Sequence, residues 1–461
     1  MYAAGMQALL HVATWTRLQR AYRRIFNIGE IETNPVLQWI LGASTFFFLL
    51  TFDVWINSAS VLSKAGNGIC WPYAQGCESL FFLERLPLGY SQSTFYMALY
   101  AVLILIVWRM WRKDWTGAHM LLLPLFLFKF VTVMALAFSE AAPYHYYHLI
   151  LTAILLFTAH KEFFLKIGFV SLYFMSVTTK FDSTWILGSY FTAMKNGLPL
   201  LPDYFAPVFT NFVIFMQVIG AWFLLSRNWI LQRLSLAYMI IFHLYSGVLV
   251  LYLYPSVSLP ALIILFGPMY RHTSIPFRKT AIVGWFIILL VAIFQLLGFI
   301  APGDRRITLE GNRFGMFMFE ANHQCVATTK SYSGGRLETK TLREVQNGTP
   351  CSGFFCLVSD KISVEDGHRV QERRFESGTA WNRCDPYIWW SRLRKQCASN
   401  DGINRIALQF DHSINGGPFF RIVDVLDICS LDYRTFGHND WILRPPESPI
   451  VGYPVENSYH Y

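Results

Sequence analysis

The chain has 461 residues, of which 54% are hydrophobic, 17% aromatic and only 15% charged, which excludes an ordinary soluble globular protein and places it in the membrane class. Its formal net charge of +9 does not argue for a nucleic-acid partner, because much of the positive charge sits in short clusters between apolar runs, where it fixes topology. The apolar excess lies between Pro35 and Ile300, and the sequence from Ala301 onward reads like a soluble domain. Three regions follow: a basic N-terminal segment (1–34), a transmembrane domain (35–300) and an extracytoplasmic domain (301–461).

The first segment carries Arg17, Arg20, Arg23 and Arg24 among Leu18, Tyr22 and Ile25, the pattern of an amphipathic helix lying at a membrane surface. Its apolar stretch is too short for a cleavable signal peptide. Apolar runs then recur at 35–56, 92–111, 118–138, 145–159, 162–179, 206–225, 230–253, 256–268 and 279–300. A crossing helix needs about 20 apolar residues, so 145–159 and 256–268 read either as short spans or as half-helices packed among the others. The expected fold is a multi-span α-helical membrane bundle of eight or nine helices, followed by a β-rich α+β extracytoplasmic domain.

Cationic loops stay in the cytoplasm. With the N-terminal arginines inside, the loops Arg109 to Lys113, His160 to Lys166, Arg227 to Arg233 and Arg271 to Lys279 are also inside, and all are basic. The loops 57–91, 139–144, 180–205 and 254–255 fall outside, and nine spans deliver the tail domain to the outside. The cysteines agree: Cys70 and Cys77 lie in the first outside loop, and Cys325, Cys351, Cys356, Cys384, Cys397 and Cys429 lie in the tail. Disulfides persist on that oxidising side, although sequence cannot give their connectivity. A zinc site lacks the Cys-x-x-Cys spacing such sites favour, and no metal is expected.

In the tail, Arg405 to Phe410 and Phe419 to Val425 alternate like strands and are separated by Asn-Gly and Gly-Gly turn signals. A helix carrying Trp389, Trp390, Leu393 and Arg394 precedes them. Asn347-Gly348-Thr349 has the letters of a glycosylation sequon.

Ionisable groups near a bilayer cost free energy, so each calls for a reason. Lys180 ends the fifth span and opens Lys180-Phe181-Asp182-Ser183-Thr184-Trp185 at the outside interface. It reads either as a snorkelling lysine paired with Asp182, beside an interfacial Trp185, or as a desolvated amine able to act as a base. His145 and His148, three residues apart, share one helix face at the outside start of the fourth span. Hydrogen-bonding roles suit them better than metal binding, since no further ligand motif accompanies them. His243 lies mid-span, where a histidine ordinarily bonds across helices or lines a pocket. Phosphate-binding glycine loops, nucleophile elbows and haem motifs are missing, which removes kinase, ATPase and serine-hydrolase readings.

The stretch Tyr173-Phe174-Met175 through Lys180-Phe181-Asp182-Ser183-Thr184-Trp185-Ile186-Leu187-Gly188-Ser189-Tyr190 resembles the Lys-Leu-Asp-x-x-Trp-x-x-Gly-x-Tyr segment of the vitamin K-dependent gamma-carboxylase family and its wider group, the proteins with the horizontally transferred transmembrane (HTTM) domain. In order behind it, Phe223 to His243 resembles the family's next helix pair, and Gly311 to Met318, with Arg313 and Met316, resembles the motif opening its lumenal domain. Trp389 to Cys397, Ile406 to Asp411 and Arg421 to Asp424 continue the likeness, which spans about residues 35 to 445. Thr179 stands where the animal enzymes have a second lysine, and Phe314 with Gly315 replaces the aromatic centre of the family's Trp-Met-Met motif.

The resemblance implies a membrane enzyme that uses a reduced quinone (vitamin K or menaquinone), O2 and CO2. In the family a neutral lysine takes a proton from the quinol, and oxidation of the quinol to its epoxide generates a base strong enough to remove a γ-proton from a peptide glutamate, which then captures CO2. Lys180 matches the catalytic lysine, and His145 or else His148 resembles the histidine that helps hold it. Asp182, Trp185, His243, Arg313 and Met316 are the expected supporting or cofactor-binding residues. The expected partners are membrane lipid and a peptide or protein substrate on the extracytoplasmic side, with no nucleic acid. The alternative within the group is a non-carboxylating HTTM protein serving peptide maturation, export or immunity.

Overall fold

The computed structural model describes residues 17–51, 70–75, 90–136, 143–192, 198, 200–250, 253–311, 315–317, 321–333, 336–347, 359–365, 368–376, 384–399 and 403–445. Cys77, Cys351, Cys356, Arg313 and most of the sequon lie outside these residues.

A helix over 17–25 and the short helix Ile28–Thr33 lead into α1 (Pro35–Leu50), followed by α2 (Tyr90–Trp111), α3 (Trp115–Val131), α4 (Pro143–Phe157) and α5 (Lys161–Ser176). After several short turns come α6 (Ala206–Phe215), α7 (Trp229–Val250), α8 (Leu253–Phe266) and α9 (Ile282–Leu297). The helix starts are chemically marked. Asn34 caps α1, its side-chain oxygen accepting from Val36 N at 2.9 Å with Pro35 in the first helical position. Asp114 caps α3 in the same way through Gly117 N. The Glu30 carboxylate accepts from the backbone N–H groups of His160 and Lys161, both at 2.8 Å, so an acid from the N-terminal segment satisfies the start of α5. At the end of α4, Lys161 Nζ donates to Thr158 O and His119 Nε2 lies 3.2 Å from Leu156 O.

Helix lengths correct the expected count of eight or nine spans. Among the described residues, three helices are long and apolar enough to cross a membrane: Trp115–Met134, Asp203–Phe223 and Lys279–Leu297. Pro35–Leu50, Tyr96–Trp111, Tyr144–Phe157 and Tyr254–Phe266 are apolar but shorter. At 1.5 Å per residue, a helix of 15 residues reaches about 22 Å, against a hydrocarbon core of about 30 Å. The third long helix turns most of its surface outward, with Ile282, Phe286, Leu289 and Leu296 exposed, whereas Leu122, Leu155, Phe164 and Phe169 are fully buried in the bundle interior.

The tail forms one six-stranded sheet in the order β3-β4-β2-β1-β5-β6, with β1 (His323–Ser333), β2 (Arg336–Asn347), β3 (Ser359–Glu365), β4 (His368–Glu376), β5 (Ile403–Ile414) and β6 (Phe420–Val425). All pairings are antiparallel except β2 with β4. The turn signals between β5 and β6 act as expected: Asn415 and Gly416 both take positive φ (52° and 69°), and Gly417 N returns to Ile414 O. Helix α10 (Pro386–Ala398) carries the expected tryptophans, and Trp389 meets Phe410 of β5 at 6.0 Å between ring centres. Cys325 of β1 is bonded to Cys384 just before α10, and Cys397 at its end is bonded to Cys429. Cys70 is also disulfide-bonded.

Several contacts seat this sheet on the helices. Tyr387 Oη donates to Cys70 O at 2.8 Å, Thr435 Oγ1 to Pro72 O at 2.8 Å, and Asn322 Nδ2 to Tyr190 O at 2.8 Å.

Candidate functional site

Lys180 ends a 3-10 turn (Val177–Lys180) that continues α5. Its side chain is 2% exposed; Nζ donates to Ser176 O at 2.9 Å and lies 5.4 Å from the centre of the Trp185 ring. Snorkelling is therefore ruled out. The pairing with Asp182 is corrected too: Asp182 caps the short helix Ser183–Ile186, accepting from Thr184 N at 2.7 Å, and its Oδ1 lies 2.8 Å from the Arg306 guanidinium. The acid is turned toward the chain that leads into the sheet. Trp185 is buried and stacks on Tyr190 at 5.3 Å. Gly188 takes φ +74° directly against the backbone of Ala206 and Pro207, where a Cβ would come within 2.8 Å, so the Lys-to-Tyr segment turns here only because this residue has no side chain.

The two histidines gather around a different amine. Lys129 of α3 is fully buried, and its Nζ lies 2.7 Å from Thr51 Oγ1 and 2.8 Å from His148 Nδ1. His148 Nε2 continues to Ser44 Oγ at 3.3 Å, and Ser44 bonds to Thr152 at 2.6 Å. His145 is 1% exposed, within electrostatic reach of Lys129, and its Nδ1 has no hydrogen-bond partner among the described residues. Lys129 is the residue that sequence reasoning missed. The signal was present as a single lysine inside the apolar run 118–138.

His243 bonds helices together: Nε2 meets Tyr173 Oη of α5, and Nδ1 lies 3.1 Å from Ser258 Oγ of α8. Met316 is buried with Phe47, Tyr147, Met175 and Tyr254, and its backbone N donates to Gln295 Oε1 at 2.7 Å. The Gln295 amide also donates to Met175 O at 3.3 Å, so one side chain of α9 ties the end of α5 to the segment that opens the tail. Gly315 makes that approach possible, because a Cβ there would lie 2.5 Å from Gln295 Oε1. Arg313 lies outside the described residues.

No family model, curated protein or solved structure matches the chain. Its chemistry is read from its own geometry. Among the described residues, no three His, Cys, Asp or Glu side chains gather as a metal site would require. Among the described residues the helices bury four lysines, Lys129, Lys161, Lys166 and Lys180; Lys129 and Lys180 lie over the Phe48 and Trp185 rings, and the buried His145 Nδ1 has no hydrogen-bond partner there.

In the sheet domain, His323 and His412 stack with centroids 5.1 Å apart, and His323 Nδ1 lies 3.0 Å from His412 Nε2. Burial lowers both: His412 to about 4, and His323 well below the usual histidine range, helped by its neighbours His412 and Arg306. His412 Nδ1 contacts Ile307 O at 2.5 Å, the turn that begins at Asp304. Asp304 is itself held below the usual carboxylate range by its bonds to Arg306, which outweigh burial.

Proposed function

We propose that this chain is a quinol-dependent, gamma-carboxylase-like integral membrane enzyme that modifies a peptide glutamate presented from the extracytoplasmic side, with O2 and CO2 as co-substrates. The observation that carries this reading is the burial of the Lys180 amine against Ser176 O and the Trp185 ring. Desolvation disfavours a charged amine, and an uncharged one has a lone pair to accept a proton from an acidic ring hydroxyl. Ser176 O accepts from Nζ, and the Trp185 ring, itself stacked on Tyr190, lies 5.4 Å from the amine. A lysine base cannot remove a glutamyl γ-proton itself; the reduced quinone, when bound and oxidised by O2, supplies the stronger base.

In this reading the shorter apolar helices pack among the three full-length ones as a single multi-span bundle. The N-terminus is cytoplasmic and the disulfide-bearing sheet is outside, in keeping with the basic loops and with the Cys325–Cys384 and Cys397–Cys429 bonds.

The test is direct. Purified protein given menaquinol or reduced vitamin K, O2 and bicarbonate is expected to form quinone epoxide, and Lys180→Ala to lose at least 100-fold of that rate, on the order expected for a general base. Equal rates in both proteins remove Lys180 as the base. No epoxide from the wild type, under conditions that support a known carboxylase, leaves the non-carboxylating reading.

A further inference from the structure

Lys129 has no part in the reading above, yet it is one of the largest fully buried side chains in the molecule. Its neighbours are chosen for hydrogen bonding: Thr51 at the end of α1, His148 on α4, then Ser44 and Thr152 behind His148. The walls are aromatic. Phe48 lies 4.4 Å from the His148 ring and 5.2 Å from Lys129 Nζ, and Tyr144 lies 4.5 Å from the His145 ring. In this setting His145 Nδ1 is buried and unbonded. Leaving such a group unpaired costs about 1–3 kcal/mol, and native structures retain one where something else completes it. The missing partner must be small at its polar end, since His145 Nδ1 is fully enclosed, and apolar and flat behind it, since rings lie beside His145, His148 and Lys129.

We propose that Lys129, with His145 and His148, forms a binding site for a ring oxygen of a lipid-soluble phenol or quinone. His145 Nδ1 bonds to that oxygen, and Lys129, anchored by Thr51 and His148, supplies the second contact. The ring lies against Phe48 and Tyr144. This rests on the quinol-dependent reading for the class of ligand, but not on Lys180 or on any chemical step. It reassigns the histidine pair from Lys180 to Lys129.

The experiment uses the full chain in lipid nanodiscs, titrated with menadione, a naphthoquinone without a tail, and followed by tryptophan fluorescence and by the rise in Tm. Wild type is expected to bind, Lys129→Met to bind at least tenfold more weakly, and Lys340→Met, on the exposed face of β2, to bind within about twofold of wild type. Should Lys129→Met fail to fold, His145→Phe removes the unbonded nitrogen, leaves the Lys129–His148 bond in place, and is expected to show the same loss. A folded Lys129→Met or His145→Phe that binds as tightly as wild type overturns the proposal, as does a wild type that does not bind. Binding that depends on Lys129 in a protein that forms no epoxide sinks the carboxylase-like reading alone. Epoxide formation with binding unchanged in the variants sinks this site alone.

Discussion

Asp182 and Lys180 stand two residues apart, close enough in sequence to suggest an ion pair, and the fold separates them. Asp182 spends its carboxylate on a helix start and on Arg306, while the Lys180 amine turns back along α5 to Ser176 O. Spacing alone does not carry direction, which is why the pairing was legible as a possibility and wrong as a fact. At the same scale, the His323–His412 pair predicts a pH response. Both are neutral in the fold and take up protons when unfolded, so the unfolded chain binds more protons below pH 6.5 and stability falls as pH drops. For His412 the fall runs from about 6.5 to about 4 and amounts to about 3 kcal/mol in all. The flanking charges are Asp304, which favours protonation of His412, and Arg306, which opposes it at His323. Thermal unfolding in detergent is expected to show a lower Tm at pH 5 than at pH 7.5, with a flatter dependence in His412→Gln; an unchanged slope in that variant removes the histidine pair as the cause.

At the scale of elements, α10 illustrates what patterning can and cannot supply. Its tryptophans and the alternation of β5 and β6 were readable in advance, as was the turn at Asn415-Gly416. The connectivity that pins the helix was not, because disulfide partners are chosen by distance in the folded chain. The Cys325–Cys384 and Cys397–Cys429 bonds close loops of 59 and 32 residues. Chain-entropy arguments give each about 4 kcal/mol. Replacing both cysteines of either pair by serine is expected to lower the Tm of the tail transition by several degrees, read by calorimetry in detergent; no shift in either double variant means that packing alone holds α10 to the sheet.

At the scale of the whole molecule, the helices and the sheet meet through a small set of polar joints near Lys180: Asp182 with Arg306, Tyr190 O with Asn322, and Gln295 with the backbone at Met316. Arg306 is central, because it also holds Asp304, and the turn after Asp304 receives His412. Arg306→Met leaves the half-buried Asp182 carboxylate without the guanidinium 2.8 Å from it. It is expected to raise protease cleavage in the segment after Lys180 and to lower epoxide formation, while Lys340→Met, on the exposed face of β2, changes neither. Equal cleavage in both variants shows that the joint does not order this segment.

By itself the sequence determined the apolar helices and the strand-forming tail: apolar runs require a low-dielectric surrounding, and alternation with turn residues makes a sheet. It also marked Lys180, because an ionisable group at the end of an apolar run stands out in one dimension. Only the tertiary structure decided how many helices are long enough to cross, that Asp182 answers to Arg306, and that His148 answers to Lys129. Those outcomes depend on where separate elements bring their side chains together, and a polar contact between residues 19 or 124 positions apart leaves no periodicity for a sequence to show.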